Sequence, residues 1–528
     1  MIKKLVCVIV LIMMSCIFSS CIHIHDWSEW TIVREAVSCD EDGLKIRECT
    51  SCPEVEKSAI KIPHTIIVDE GVLPTCVKDG VTAGEHCSAC GEVLVSQEVI
   101  PMLFSHNYID GVCTMCKTAI ALEEKVFDDA LPVFYIETNG VTIPDRSHPE
   151  YKNYAECNIE LNDGEDRVFQ ENAKIRIRGT SSRWFAKKGY KLKFTSAKSL
   201  EELPEAKKYN LLASYPDPCK LRDYLALSIS YTMNFGSDRY APRPILSRVY
   251  LDGVYQGLYF LLDDIDSGKG KIELEDFTAA DKEIPFILEM DTVAYKTGVE
   301  GVDYFSLGRT DVFDYDGDGS TELLYVIDSP ENITQEQFSY IERYIGECRG
   351  SLEKGDLKTF SDLVDVASFI DYFMLGELFR NTDMAGRSVY MYKEGKEGKL
   401  VFGPSWDFDY SCSRPYRLGP NIDYSLHNAK DRFTNYDWWQ LFLEIPEAVQ
   451  LIKERYTLYL RDIYVHEFAE AKKFYAFYES DIKTDAVIWY AEDVENTDAL
   501  VDDNFVWTFN YFDLRLEMLD GLFLLQDE

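Results

Sequence analysis

The 528-residue chain predicts an α+β fold, and three observations carry that expectation. Between residues 132 and 290 apolar residues recur in several runs with period two, the pattern of strands that bury one face. Beyond residue 360 they recur at spacings of three and four, the pattern of amphipathic helices. No Ser/Pro-rich break divides residues 131–528, so the strands and the helices belong to one long domain. The composition is that of a folded chain: 46% hydrophobic, with 33 Tyr and 29 Phe, which excludes disorder as its main state. A net charge of -38 argues against non-specific nucleic-acid binding. It favours a cationic partner, a bound metal or simple solubility.

The N-terminus carries a localisation signal. Lys3 and Lys4 precede a wholly apolar run over residues 5–14, and Phe18-Ser19-Ser20-Cys21 follows. The arrangement resembles a bacterial lipoprotein signal over residues 1–21, with cleavage before Cys21 and a lipid on its sulfur. Phe18 stands where Leu is most usual. The apolar run is too short to span a membrane. The expectation is an exported lipoprotein anchored on the bacterial cell surface, with an ordinary secretory signal as the alternative.

Residues 22–117 hold a repeat, and eight of the fifteen cysteines lie in it. His25-Asp26-Trp27 opens the first unit, followed by Cys39, Asp42-Gly43, Cys49 and Cys52. His64-Thr65 opens the second, followed by Cys76, Asp79-Gly80, Cys87 and Cys90. His106-Asn107 opens a truncated third with Cys113 and Cys116. Each full unit offers one Cys, a Cys-x-x-Cys pair and a His, a donor set for tetrahedral zinc. In an exported protein the same cysteines suit disulfides, and the sequence leaves both readings open. Either way the module reads as a stalk or spacer. Residues 118–130 read as a short helical linker.

The large domain opens with a strand over residues 132–136. Residues 174–193 then contain eight basic residues and no acidic one. Lys174, Arg176 and Arg178 alternate with Ile175 and Ile177, and Lys191 and Lys193 alternate with Tyr190, Leu192 and Phe194. This is a β-hairpin with one apolar and one cationic face. Its turn, Gly179-Thr180-Ser181-Ser182, is small enough for a backbone to approach a ligand. Cations and N–H groups so placed suit an anion, and a polyphosphate above all. The competing reading is a solvated face that balances acidic surface elsewhere. Residues 246–262 form a second hairpin about Asp252-Gly253, and residues 285–290 another strand. Residues 324–345 read as a strand and then a helix that starts within residues 332–336.

Residues 360–380 read as one amphipathic helix ending in the polar turn Asn381-Thr382-Asp383. A strand over residues 388–392, a Gly/Lys turn and a strand over residues 400–402 lead to Trp406-Asp407-Phe408-Asp409. A carboxylate after a helix, then a hairpin, then a second carboxylate pair is the order in protein kinases. There the first acid orients and deprotonates a hydroxyl, and the second holds Mg2+ on nucleotide phosphates. The competing reading has Asp383 capping a turn and Asp407 and Asp409 as surface acids beside a packed Trp406. Residues 446–474 and 509–525 complete the helical half, and Trp438 and Trp439 read as core residues.

Five segments in this order resemble the spore-coat protein H (CotH) kinase family, a divergent branch of the two-lobed protein-kinase-like fold. They are the run from Arg178 to Lys193, residues 210–213 with Leu221-Arg222-Asp223-Tyr224-Leu225, the hairpin from Asp252 to Tyr259, Asn381-Thr382-Asp383, and Trp406-Asp407-Phe408-Asp409. The resemblance covers about residue 131 to the C-terminus and implies ATP-dependent, Mg2+-dependent phosphorylation of protein Ser or Thr. It makes Asp383 the catalytic Asp and Asp407 the main Mg2+ ligand, with Asp409 and Ser388 as further ligands. Arg178, Ser181, Ser182 and Lys188 would bind ATP, with Lys191 in reserve for Lys188. Ser388 stands where ordinary kinases carry Asn, and Asp263 where the family hairpin often carries Glu. A catalytically silent kinase-like surface module for binding or structure is the alternative. A basic, Ser-rich protein is the substrate that the acidic surface suggests. The run Asp314-Tyr315-Asp316-Gly317-Asp318-Gly319-Ser320 is similar to the start of a calcium loop, but Tyr325 stands where the closing Glu belongs, and a solvated acidic turn is expected.

Overall fold

A computed structural model describes residues 24–72, 74, 80–100, 108–109, 112–113, 122, 124–145, 153–164, 166–179, 182–235, 237, 239–291, 299–308, 323–381, 386–408, 411–412 and 437–525. The chain divides into two compact units, residues 1–103 and 104–528.

The first unit repeats in structure as it does in sequence. Strands Thr31–Arg34, Gly43–Glu48 and Val55–Ile60 form one antiparallel sheet, and Ile66–Asp69, Gly84–Cys87 and Val93–Val95 form a second. Both are thin. Ile32, Val33, Ile66, Val68, Val93 and Val95 are exposed. Among the described residues of this unit, the only buried hydrophobic side chains are Cys49 and Cys87. Small domains without an apolar core need crosslinks or metals to fold.

The second unit begins with a closed seven-stranded barrel. Its strands are β1 (Val133–Glu137), β2 (Ala155–Asp163), β3 (Asp166–Ile177), β4 (Tyr190–Lys198), β5 (Ala206–Leu212), β6 (Ile245–Leu251) and β7 (Val254–Asp263), in the order β1-β2-β3-β4-β5-β7-β6. Neighbours are antiparallel except β6 and β1, whose parallel pairing closes the ring. Ile159, Leu161, Ile175, Leu192, Leu211 and Leu261 fill the interior with no exposed surface. Period two therefore places Lys174, Arg176, Lys191 and Lys193 outside. Helix α1 (Leu221–Asn234) joins β5 to β6, and twelve of its fourteen residues are buried. A helix covered on all sides is a core element, and it carries polar side chains inward with it.

A five-stranded sheet follows, in the order β9-β10-β8-β11-β12, from β8 (Phe286–Asp291), β9 (Tyr304–Ser306), β10 (Leu324–Ser329), β11 (Val389–Lys393) and β12 (Val401–Phe402). Helix α2 (Gln335–Glu353) starts where the sequence places it. Thr334 accepts from the Gln337 N–H at 3.3 Å and the Gln337 side chain accepts from the Thr334 N–H at 2.9 Å, a reciprocal cap. Tyr325, at the twelfth position of the calcium-like run, is buried in β10 and accepts a hydrogen bond from Trp438 Nε1 at 2.8 Å. Residues 314–320 of that run lie outside the described residues.

Two expected helices are each divided. Residues 360–380 contain the end of α3 (Leu357–Leu363) and all of α4 (Val366–Phe379). Val364 is extended and bridges Leu400, and Asp365 caps the new helix by accepting from the Ser368 N–H at 2.9 Å. The run from residue 446 is α6 (Pro446–Arg455), a π turn (Tyr456–Leu460) and α7 (Arg461–Tyr490). Helices α5 (Asp437–Leu443) and α8 (Thr497–Phe523) complete the unit, and Trp438 and Trp439 are buried as expected. The expected helical linker is a correction: residues 124–130 are not helical. They run along α7, where Lys125 Nζ meets Glu467 at 2.6 Å and the Phe127 ring lies 5.9 Å from Phe474. These tertiary contacts outweigh the local helical tendency.

Candidate active site

Strands β3 and β4 pair as a hairpin, Lys174 opposite Lys193 and Arg176 opposite Lys191. Their outward cations are already matched. Lys174 meets Glu156 at 2.7 Å and Lys191 meets Asp264 at 2.5 Å. Arg176 and Lys193 lie over the Tyr154 ring, at 5.3 and 5.8 Å from its centroid. On the strands themselves, then, the solvated, charge-balanced reading describes the hairpin.

The turn differs. The Arg178 N–H donates to the Gly189 carbonyl at 2.9 Å and closes residues 178–189 into a loop. Gly179 sits at φ 90°, and a Cβ there would lie 1.9 Å from Ser182 Oγ, so the turn requires glycine. Lys188 folds back on its own loop, donating to the Arg183 carbonyl at 2.8 Å and to the Phe185 carbonyl. Ser181 lies outside the described residues.

Arg178, Ser182 and Lys187 of this loop, Ser214 after β5, Asp223 of α1, and Trp406 and Asp407 after β12 line one cavity of about 30 Å3. That is room for a water or a metal ion. Lys188 and Lys191 do not line it. The Arg178 guanidinium lies 5.1 Å from the Trp406 ring centroid. Asp407 and Ser388 both have left-handed backbones, φ 65° and 50°, a strain that clusters at functional sites. Ser388 Oγ donates to Asp407 Oδ2 at 3.4 Å, so the structure brings these two expected ligands together. Asn381, two residues before Asp383, donates from its side chain to the Asp407 carbonyl at 3.1 Å. Asp383 and Asp409 themselves lie outside the described residues.

The electrostatics favour a cation. Burial pushes the Asp407 carboxyl above its usual range, and the charge of Asp291 adds to this, while Arg178 and the Ser388 hydroxyl oppose it. Burial pushes Asp223 up to about 6, against a hydrogen bond that Ser214 Oγ donates at 2.5 Å; the charge of Asp407 also raises it. Four carboxylates, Asp407, Asp291, Asp223 and Asp217, interact through this buried region, against the guanidinium groups of Arg178 and Arg222. Oxygen donors with surplus negative charge suit a hard cation such as Mg2+, so the residues present fit that ion.

Lys187 carries a feature that sequence reasoning missed. It is fully buried and donates to Asp485 of α7 at 2.5 Å and to the Leu258 carbonyl at 2.5 Å. Lys220 reaches the other Asp485 oxygen at 3.0 Å, and the Leu258 N–H donates to Asp485 at 2.8 Å. Gly257, at φ 84°, leaves the space: a Cβ there would lie 2.0 Å from Asp485 Oδ1. Burial pushes Lys187 down to about 7, and the neighbouring charge of Lys220 adds to this against the attraction of Asp485. An ammonium group taken wholly out of water accounts for that direction, and a second one beside it reinforces it. The signals were faint. Lys187 adjoins the lysine chosen from the motif, and Asp223 stood inside a matching segment without a role.

A larger cleft of about 690 Å3, lined by Tyr231, Arg239, Arg243, Lys271 and Glu394 among others, contains none of the expected site residues. The model of one protein family, described as CotH kinase protein, matches residues 175–519. No curated protein matches the chain.

Proposed function

The chain belongs to the CotH kinase family, and on that premise we propose that it is an exported, lipid-anchored kinase that transfers the γ-phosphate of ATP to Ser or Thr of a surface or coat protein. The observation that carries this is the meeting of Arg178 and Ser182 with Asp407 at one cavity, although they lie far apart in sequence. In this reading Arg178 and Ser182 bind phosphate oxygens. Asp383 orients the acceptor hydroxyl and takes its proton. Asp407, with Ser388 and Asp223 and with Asp409 close in sequence, holds Mg2+, whose charge offsets that of the phosphates. A hydroxyl at Ser388 is a weak ligand, which supports dependence on a single metal ion. Export and anchoring rest on the N-terminal signal and Cys21, and a basic acceptor protein on the charge of -38.

The reading as a silent surface module draws support from the small cavity and from the intramolecular partners of Lys188 and Lys191. Incubation of the purified chain with Mg2+, labelled ATP and a Ser-rich basic peptide separates the two. Label above that of Asp383→Asn is expected; none with any divalent metal would sink the kinase reading. In the same assay Lys188→Met is expected to cost about tenfold or less, through a loosened loop, and Lys187→Met about a hundredfold or more. The reverse order of effects would favour Lys188 as the lysine of the site.

A further inference from the structure

We infer that the repeat module holds a zinc ion across the boundary between two repeats, on Cys39 of the first and His64, Cys87 and Cys90 of the second. These four donor atoms lie within 4.8 Å of one another. Cys39 Sγ is 3.5 Å from Cys87 Sγ, and Cys90 Sγ is 3.5 Å from His64 Nδ1. A tetrahedral zinc ion with sulfur at about 2.3 Å and nitrogen at about 2.0 Å sets its ligand atoms about 3.5–3.8 Å apart. Three thiols and an imidazole are the wrong inventory for a disulfide, which would join two sulfurs and leave a thiol and a ring converging on nothing.

Two further observations point to a metal. The Glu92 carboxylate lies 3.3 Å from His64 Nε2, on the ring nitrogen that faces away from the thiols. An outer carboxylate on the far nitrogen fixes the tautomer and aim of a metal-bound imidazole. The second is the missing core: Cys49 and Cys87 are the only buried hydrophobic side chains among the described residues of this unit. The ion supplies the folding free energy that burial does not.

The ligand set is not the one that the repeat suggests. Within the first repeat, Cys49 and Cys52 gather with His25, with Cys52 Sγ 3.4 Å from His25 Nδ1, and Cys39 is not among them. In the first two repeats each His and Cys-x-x-Cys trio therefore stays within its own repeat, while Cys39 of the first reaches forward to the second. An ion so held staples consecutive repeats, and the staple makes them a spacer of set length.

The test is zinc analysis of the full chain, purified under reducing conditions and dialysed. Cys39→Ala and His64→Ala are each expected to lower bound zinc by the same one ion per chain, and the double variant no further. Cys39→His is expected to keep the ion, which separates ligation from packing. Unchanged zinc in Cys39→Ala, additive losses in the double variant, or a disulfide at Cys39 found by differential alkylation overturns the inference. None of these outcomes depends on kinase activity.

Discussion

Asp407→Asn is expected to lower kcat for phosphotransfer at least about a hundredfold while leaving the fold as stable as before or more so. The two effects share one cause. Asp407 is held above its usual pKa range by burial and by the charge of Asp291, and it in turn raises Asp223. An amide of the same shape keeps the Ser388 hydroxyl within reach, at the 3.4 Å now seen, and removes the repulsion. It also removes the anionic ligand. Stability is thus traded for function at this position. Steady-state rates across a Mg2+ titration, with urea unfolding of both proteins, check the pair of effects. Activity within threefold of the parent at saturating Mg2+ would remove Asp407 from the site.

Asp485→Asn is expected to do the reverse of a purely catalytic variant and to destabilise the second unit by about 3–5 kcal/mol. Asp485 accepts from Lys187 at 2.5 Å and contacts Lys220 at 3.0 Å, and all three side chains are almost wholly buried. Without the carboxylate two buried ammonium groups face each other. Urea unfolding measures the loss, and a change below about 1 kcal/mol would show that the trio is not buried as described. The same trio predicts a pH slope. Lys187 lies near 7 in the folded chain against an ordinary 10.5, so between those values the unfolded chain binds more protons. Its contribution to stability therefore rises with pH across that window. Lys187→Met should flatten the slope there.

The sequence displayed most of the local structure. Period two revealed the two faces of β3 and β4, residues 332–336 marked the start of α2, and the hairpin before Trp406 became β11 and β12. What failed was overridden by single contacts. Asp365 starts a new helix inside a continuous apolar stripe, and Phe127 and Lys125 tie an expected helix flat along α7. At the site, the types of residue were legible because chemistry selects them: Arg178, Ser182, Ser388 and Asp407 do meet. Asp485 was not, because it stands in a long helix with no local mark. It becomes a partner of Lys187 only when α7 packs on β7. In the repeats the ligand types were visible, but the assignment of Cys39 to the following repeat needed the fold.

The parallel pairing of β1 with β6 has a bearing on substrate choice. The seam closed in this way has no free edge, so an acceptor peptide cannot be recognised there by adding itself as another strand. Backbone-templated binding, which tolerates many sequences, is denied at that seam. An acceptor docked at this seam would be read by its side chains.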